Sequence, residues 1–271
     1  MLIPSPAILK PHNREFSRIA LECGIARGLT VCLDAGDGRS YDGNGSTWYD
    51  RSGTACHFNM GNGGLNKPTF QPGAWYGGRS GLNYMAYDGA AWNSVASAPA
   101  WMQNLHKAGG KWGILAWVYW GAFTTTQAIF ATYAAPAGWS GIGVLFGVLA
   151  TSGADWNLVL NGGTAGGVVS IPGFTHQTGR WECYALCVDV DTPGKCFSFL
   201  NGASGAGGSA VGAASASNYD GTPFIGLIAG DTTTALNNGS RLGGVLMWES
   251  RRPRVDEFMN FYQATRGRYR V

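Results

Sequence analysis

From Leu29 onward, short apolar runs alternate with breaks rich in glycine, asparagine and aspartate, the pattern of strands joined by tight turns. Leu29-Thr-Val-Cys-Leu33 is the first such run, and Asp34-Ala-Gly-Asp-Gly38 and Asp42-Gly-Asn-Gly45 turn the chain after it. Trp112-Gly-Ile-Leu-Ala-Trp-Val-Tyr-Trp120 carries large apolar groups at both parities, which predicts a central strand buried on both faces. Further strands are expected at 85–88, 128–133, 141–150, 156–160, 167–171, 181–190, 195–200, 223–229 and 241–248. Asn161-Gly162, Asn201-Gly202 and Asn238-Gly239 fall between runs, where a residue tolerant of αL geometry followed by glycine bends the chain sharply. The stretch 202–217, almost entirely Gly, Ala and Ser, has nothing large to bury and reads as a flexible loop or thin connector. Many strands at short, regular spacing predict an all-β sandwich or barrel.

Two segments change period. After Pro4, Pro6 and Pro11, the apolar residues Phe16, Ile19 and Ala20 recur at helical spacing. Residues 1–28 are therefore read as an arm with a short helix, which either packs on its own sandwich or reaches a neighbouring subunit. Pro253–Gly267 is the clearest helix, with proline at its entrance and acids in its first turn. Phe258, Phe261, Tyr262 and Thr265 fall on one face of it, and Gly267 is placed to end it. The chain thus divides into an arm, 1–28, and one β-rich domain, 29–271.

Composition sharpens this picture. A chain of 271 residues with 45% hydrophobic content can bury a large core, and 43 glycines against 13% charged residues disfavour a helical bundle. The uncharged stretch 112–154 is broken by Thr124-Thr-Thr-Gln127 and Pro136, so it reads as buried strands and no membrane span is expected. The N-terminal residues lack the features of a secretory signal, which argues against export by that route. Cys23, Cys32, Cys56, Cys183, Cys187 and Cys196 are accordingly expected to be reduced, mostly buried thiols. The net charge of +3 is uneven: seven of the fourteen arginines lie in 241–271, either solvated around a helix or forming a docking edge. No direct nucleic-acid contact is expected.

Four stretches in this order resemble the concanavalin A-like, laminin G-like sandwiches found in many secreted proteins and phage virion proteins. Gly28-Leu-Thr-Val-Cys-Leu-Asp-Ala35 with Thr47-Trp-Tyr-Asp-Arg-Ser-Gly53 is similar to the family's opening strand and Trp-x-Asp-x-Ser-Gly turn. Tyr87-Asp-Gly89 and Phe197-Ser-Phe-Leu-Asn-Gly202 resemble internal strand ends. Leu242-Gly-Gly-Val-Leu-Met-Trp-Glu-Ser250 and the helix after it resemble the closing strand and helix. The resemblance implies a concanavalin A-like jelly-roll β-sandwich with an N-terminal arm and a short C-terminal helix. Lys67-Pro-Thr-Phe70, Gly77-Gly78 and Asn104-Leu-His-Lys107 are similar in detail to phage proteins of this type. They imply a structural component of a virion, decorating the head or belonging to the tail or fibre, with other virion proteins as partners and a homo-oligomeric state. Phe16, Ile19, Arg251, Arg252 and Arg254 are the expected assembly contacts.

Catalysis is not expected. Glucanases of this fold place two carboxylates across the scissile bond, and the Glu-x-Asp-x-x-Glu strand that carries them is absent. There is no Gly-x-Ser-x-Gly elbow, His-Glu-x-x-His pair or phosphate-cradling loop. His12, His57, His106 and His176 are too scattered to define a site and read as surface or internally satisfied histidines. The family resemblance allows a calcium ion in the loops, with Asp34, Asp37 and Asp42 as ligands. The alternative function is a lectin-type module for host-surface polysaccharide. Trp75, Tyr76, Trp92, Trp101 and Trp139, all in Gly- or Ala-rich contexts, are its candidate sugar platforms, against the alternative that they are lids over the core.

Overall fold

A computed structural model describes residues 15–61, 65–73, 82–132, 141–150, 152–161, 169–171, 173–205, 207–210, 213–228 and 234–271. Helix α1 (Phe16–Glu22) precedes the strands and α2 (Val255–Tyr269) follows them. The first strands are β1 (Leu29–Asp34), β2 (Thr47–Trp48), β3 (Phe58–Met60), β4 (Thr69–Gln71), β5 (Tyr84–Ala86), β6 (Asn93–Val95), β7 (Lys111–Tyr119) and β8 (Gln127–Ala131). Then come β9 (Ile142–Val148), β10 (Asp155–Asn161), β11 (Val169–Ser170), β12 (Trp181–Asp189), β13 (Phe197–Leu200), β14 (Ala203–Ser204), β15 (Ser209–Ala210), β16 (Phe224–Ile225) and β17 (Arg241–Glu249).

These strands form two sheets with antiparallel neighbours. The first runs β14-β13-β12-β7-β17-β5-β4, with β1 also on β17, and the second runs β15-β11-β10-β9-β8-β16-β6-β3-β2. The architecture is an all-β sandwich with a C-terminal helix, as the strand pattern predicts. The expected central strand is β7. Trp112, Ile114, Ala116, Val118 and Trp120 face the core between the sheets. Leu115 and Trp117 face a second apolar layer under the helices. Burial on both faces therefore follows from the two-residue period of a strand covered on both sides.

Strand β17 keeps its large side chains buried by changing parity. Its register with β7 shifts between Leu242 and Gly244, so Leu242 points inward before the bulge and Val245 and Met247 after it. Gly243, at the bulge, lies under Tyr269: a Cβ there would come 2.3 Å from the tyrosine hydroxyl. Tyr269 in turn stacks on Trp117 with ring centroids 4.0 Å apart. This contact explains one departure from the sequence pattern. Helix α2 runs through Gly267 and ends at Arg270, which adopts the left-handed cap conformation, because Tyr269 is held in the second layer.

The described part of the arm belongs to that same layer. Phe16, Ile19, Ala20 and Ile25 are buried with Trp117, Trp248, Phe258 and Phe261, all from the same chain. Phe16 meets Phe261 edge to face at 5.3 Å. Asp34 of β1 fastens the two helices together: its carboxylate accepts hydrogen bonds from the Phe16 and Gly36 amides and from two nitrogens of Arg268. The Gly/Ala/Ser connector also differs from expectation. It contributes β14 and β15, which pair through backbone groups with β13 and β11 and need no large side chains. None of the six cysteines is bridged, and all but the partly exposed Cys23 are buried.

Candidate functional site

The loop between β6 and β7 carries an open groove that includes a sequence-predicted residue, Trp101. Trp101 is half-buried, with one side against the core, and a 3-10 turn, Met102–Asn104, follows it. The groove, about 420 Å³, is lined by Trp101, Asn104, Lys107, Lys111, Trp112 and Glu249 among others. Its polar groups come from different elements: Asn104 and Lys107 from the loop, Lys111 from the start of β7, and Glu249 from the end of β17. Glu249 lies directly opposite Trp112 in the ladder, which brings the two strand ends together.

The groove wall is fixed before any ligand arrives. Trp112 Nε1 donates to the Leu105 carbonyl at 3.0 Å, so the core strand holds the loop from below. His106 is buried and pairs through Nε2 with the Ser217 carbonyl at 2.8 Å; burial pushes its pKa down. The Gly109 amide donates to both carboxylate oxygens of Asp191. Glu249 has no ion-pair partner among the described residues, and partial burial pushes its pKa up. A half-buried indole beside an amide, ammonium groups and one carboxylate is suited to a polyhydroxylated ligand, because the ring covers apolar C–H faces while the polar groups meet hydroxyls. Hydrolysis of a glycoside uses two carboxylates, and among the described lining residues this groove has one.

The other expected site residues are distributed differently. Trp92 is partly buried and packs edge to face on Phe224 at 5.2 Å. Trp75, Tyr76 and Trp139 lie outside the described residues. The three aspartates expected around calcium do not share an open site. Asp34 is engaged by Arg268, Asp37 by Arg39 and Arg51, and exposed Asp42 bonds the Asn44 amide in its own turn. Among the described residues no three His, Cys, Asp or Glu side chains converge on a metal position. Phe16 and Ile19, expected as assembly contacts, point into their own chain instead, because a seven-residue helix needs that burial to persist. Arg251 pairs with Glu257, Arg252 with the Lys195 carbonyl, and exposed Arg254 with Asp256.

A polar cluster that the sequence reading left unassigned lies between the sheets. His176 Nδ1 is 2.6 Å from Glu182 Oε2 and its Nε2 is 2.6 Å from Asp155 Oδ1, with all three side chains sealed from solvent. Glu182 also accepts hydrogen bonds from Trp120 Nε1, the Gln177 amide and Arg180 Nε. Burial is the largest influence on His176 and opposes its charge, but the two carboxylate hydrogen bonds outweigh it and hold the pKa above the ordinary histidine value. Acid, imidazole and acid in contact have the composition of a proton-transfer site, yet no substrate reaches a group this enclosed. The cluster is an internal tie between β10 and β12. Its signal was available in the sequence: Glu182 stands at an inward position of a strand otherwise apolar on both faces, where a buried acid requires a buried partner.

The fold is an all-β sandwich of two antiparallel sheets with an open groove at one end of β7. No protein-family model matches the sequence, and no curated protein matches it. Among solved structures, domain 4 of AbnA, a GH43 extracellular arabinanase from Geobacillus stearothermophilus in complex with arabinotriose, is similar with a TM-score of 0.57 at 14% identity. The match covers 87% of this chain and 98% of that one. The binding domain of botulinum neurotoxin DC in complex with SialylT gives 0.57 at 10% identity, over 88% of this chain and 52% of that one. Trypanosoma rangeli sialidase in complex with the inhibitor DANA gives 0.56 at 12% identity, over 86% of this chain. The chain spans about a third of the sialidase's length, 32%. At these identities the likeness is one of fold.

Proposed function

We propose that this chain is a carbohydrate-binding sandwich, a lectin-type module without hydrolytic chemistry, that contacts sugar through the Trp101 groove. The observation that carries the reading is a partly exposed indole on a pinned loop, flanked by Asn104, Lys111 and Glu249 from three separate elements. Arabinotriose and SialylT complexes of two similarly folded domains support it. The test is titration calorimetry against a panel of plant, bacterial and animal oligosaccharides, with Trp101→Ala beside the parent protein. A bound saccharide whose affinity falls roughly tenfold or more in the variant is the expected result, as for an aromatic anchor at the centre of a contact. Binding that Trp101→Ala leaves unchanged removes the groove from the reading, and no binding across the panel removes the reading itself.

A virion setting is the second part of the proposal. Asn104-Leu-His-Lys107, one of the stretches similar to phage virion proteins, supplies part of the groove wall, so the particle and lectin readings meet on one surface. In this setting the groove faces host polysaccharide. Mass spectrometry of purified particles, with quantitation against the major capsid protein, decides whether the chain is a stoichiometric component or absent.

A further inference from the structure

A second cleft, about 470 Å³, opens on the outer face of the first sheet beyond the end of α2. It is built from one cross-strand row. Arg241 of β17 stands opposite Tyr119 of β7, and Tyr119 stands opposite Trp181 of β12. Tyr84 of β5 closes the other side. The Arg241 guanidinium lies over both tyrosine rings, 4.8 Å from the Tyr84 centroid and 4.3 Å from that of Tyr119. Trp181 packs edge to face on both rings, at 6.0 and 5.8 Å. The guanidinium is therefore held by the rings, and no described residue accepts a hydrogen bond from its N–H donors.

Charge in this cleft is unbalanced. Arg241, Arg268 and Arg270 line it, and no acidic side chain does so among the described residues. Asp34 neutralises Arg268 from behind. Arg241 and Arg270 have no acidic partner among the described residues, unlike the arginines of the 251–254 segment, which are paired within the chain. Tyr269, which also lines the cleft, has a buried hydroxyl without a hydrogen-bond partner among the described residues. A planar, pre-oriented guanidinium with free donors matches a carboxylate in bidentate geometry. The tyrosine and tryptophan edges around it supply the apolar surface that a sugar ring covers. Among the described residues the cleft has two cations without an acidic partner, too few for a run of phosphates, which requires a track of them.

We infer that this cleft binds an acidic sugar, with Arg241 clamping the sugar carboxylate and Arg270 at the rim. The inference rests on the carbohydrate-binding reading and adds a ligand class and a second site to it. The test compares two probes, oligogalacturonate and a neutral oligosaccharide of equal length, by calorimetry at low and high salt. The proteins are the parent, Arg241→Gln, Arg241→Lys, Arg270→Gln and Trp101→Ala. Expected is binding of oligogalacturonate that weakens with salt and falls about tenfold in Arg241→Gln and less in Arg241→Lys. Thermal melting checks that each variant folds. Should Arg241→Gln fail to fold, the exposed Arg270→Gln carries the test, with a loss of about threefold expected from removing one of two cations. Neutral sugar bound at Trp101 with no preference for the acidic one overturns this inference and leaves the lectin reading standing. Failure of both probes overturns this inference, while the lectin reading stands or falls on the wider saccharide panel. Tighter binding of a single-stranded oligonucleotide at the same arginines assigns the cleft to nucleic acid and overturns the sugar.

Discussion

Asp50 shows how one residue fixes a loop. It accepts five hydrogen bonds: from the Cys32, Ser52 and Cys56 amides and from the Ser52 and Thr54 hydroxyls. Asp50→Ala leaves buried amides unpaired, so a loss of about 3 kcal/mol in chemical denaturation is expected, and a loss below about 1 kcal/mol sinks this account. This turn was legible, since Trp-x-Asp-x-Ser-Gly places the acceptor and its donors within a few residues. Glu182 was legible as a buried acid in need of a partner, but His176 and Asp155 as those partners were not, because β10 and β12 lie in opposite sheets that meet only in the fold. Ionised carboxylates only accept hydrogen bonds, so an imidazole between two of them must carry a proton on both nitrogens. Its raised pKa means that this stabilisation is fully present below the unfolded value of 6.5 and is lost as pH rises through the folded value. Melting temperature is therefore expected to fall from pH 6 to pH 9 in the parent and to lose that slope in His176→Gln, with both ring N–H signals visible by NMR at pH 6. Equal slopes in the two proteins rule out the charged imidazole. Glu249 does not confuse the measurement: burial raises its pKa from 4.5, and that contribution is the same in the parent and in His176→Gln, so the difference between the two slopes belongs to His176.

At the scale of elements, α1 and α2 depend on each other more than on their own sequences. The first has seven residues, no side-chain cap of its own and no acid in its first turn, and its leading amide is satisfied by Asp34 from β1. The second has the better local signals, with Glu257 reaching back to the Arg254 amide at 2.7 Å and Arg266 and Arg268 in the last turn. Its amphipathic face was legible for that reason, whereas its extension past Gly267 depends on Tyr269 and Arg268 finding partners on the sheet and on β1. The packing gives the arm a new expected behaviour. Removal of residues 1–27 exposes Trp248 and Phe258 and unpairs one side of Asp34, so the truncated protein should be less stable whatever its oligomeric state. Phe16→Ala is the milder version, with an expected loss of about 3 kcal/mol, typical of deleting a buried ring. A truncated chain that melts with the parent while its mass by light scattering drops returns the arm to an assembly role.

Across the whole molecule, the sandwich body has the properties of a rigid carrier for loops. Sequence periodicity revealed the strands, but the two clefts were invisible in it because each collects side chains from elements far apart in the chain. Trp101 was legible as an aromatic in an Ala-Pro-Ala context; its neighbours Lys111 and Glu249 required the β7–β17 register. The thiols report on rigidity directly. Cys32, Cys183, Cys187 and Cys196 are buried in or beside β1, β12 and β13, and burial pushes each thiol well above or above its ordinary pKa. Cys56 sits in the loop pinned by Asp50 and is pushed up to about 12. Only a thiolate attacks a disulfide reagent, so buried and protonated thiols react through opening of the structure. In native buffer Cys23 should react first, and the four strand thiols should follow together at one rate that matches global unfolding measured by fluorescence. Cys56 should join them in the parent and separate from them, reacting earlier, in Asp50→Ala. Mass spectrometry of time points resolves these classes. If Cys183 and Cys187 react ahead of Cys32, then β12 opens independently of β1 across the same sheet, and the body is two cooperative units rather than one.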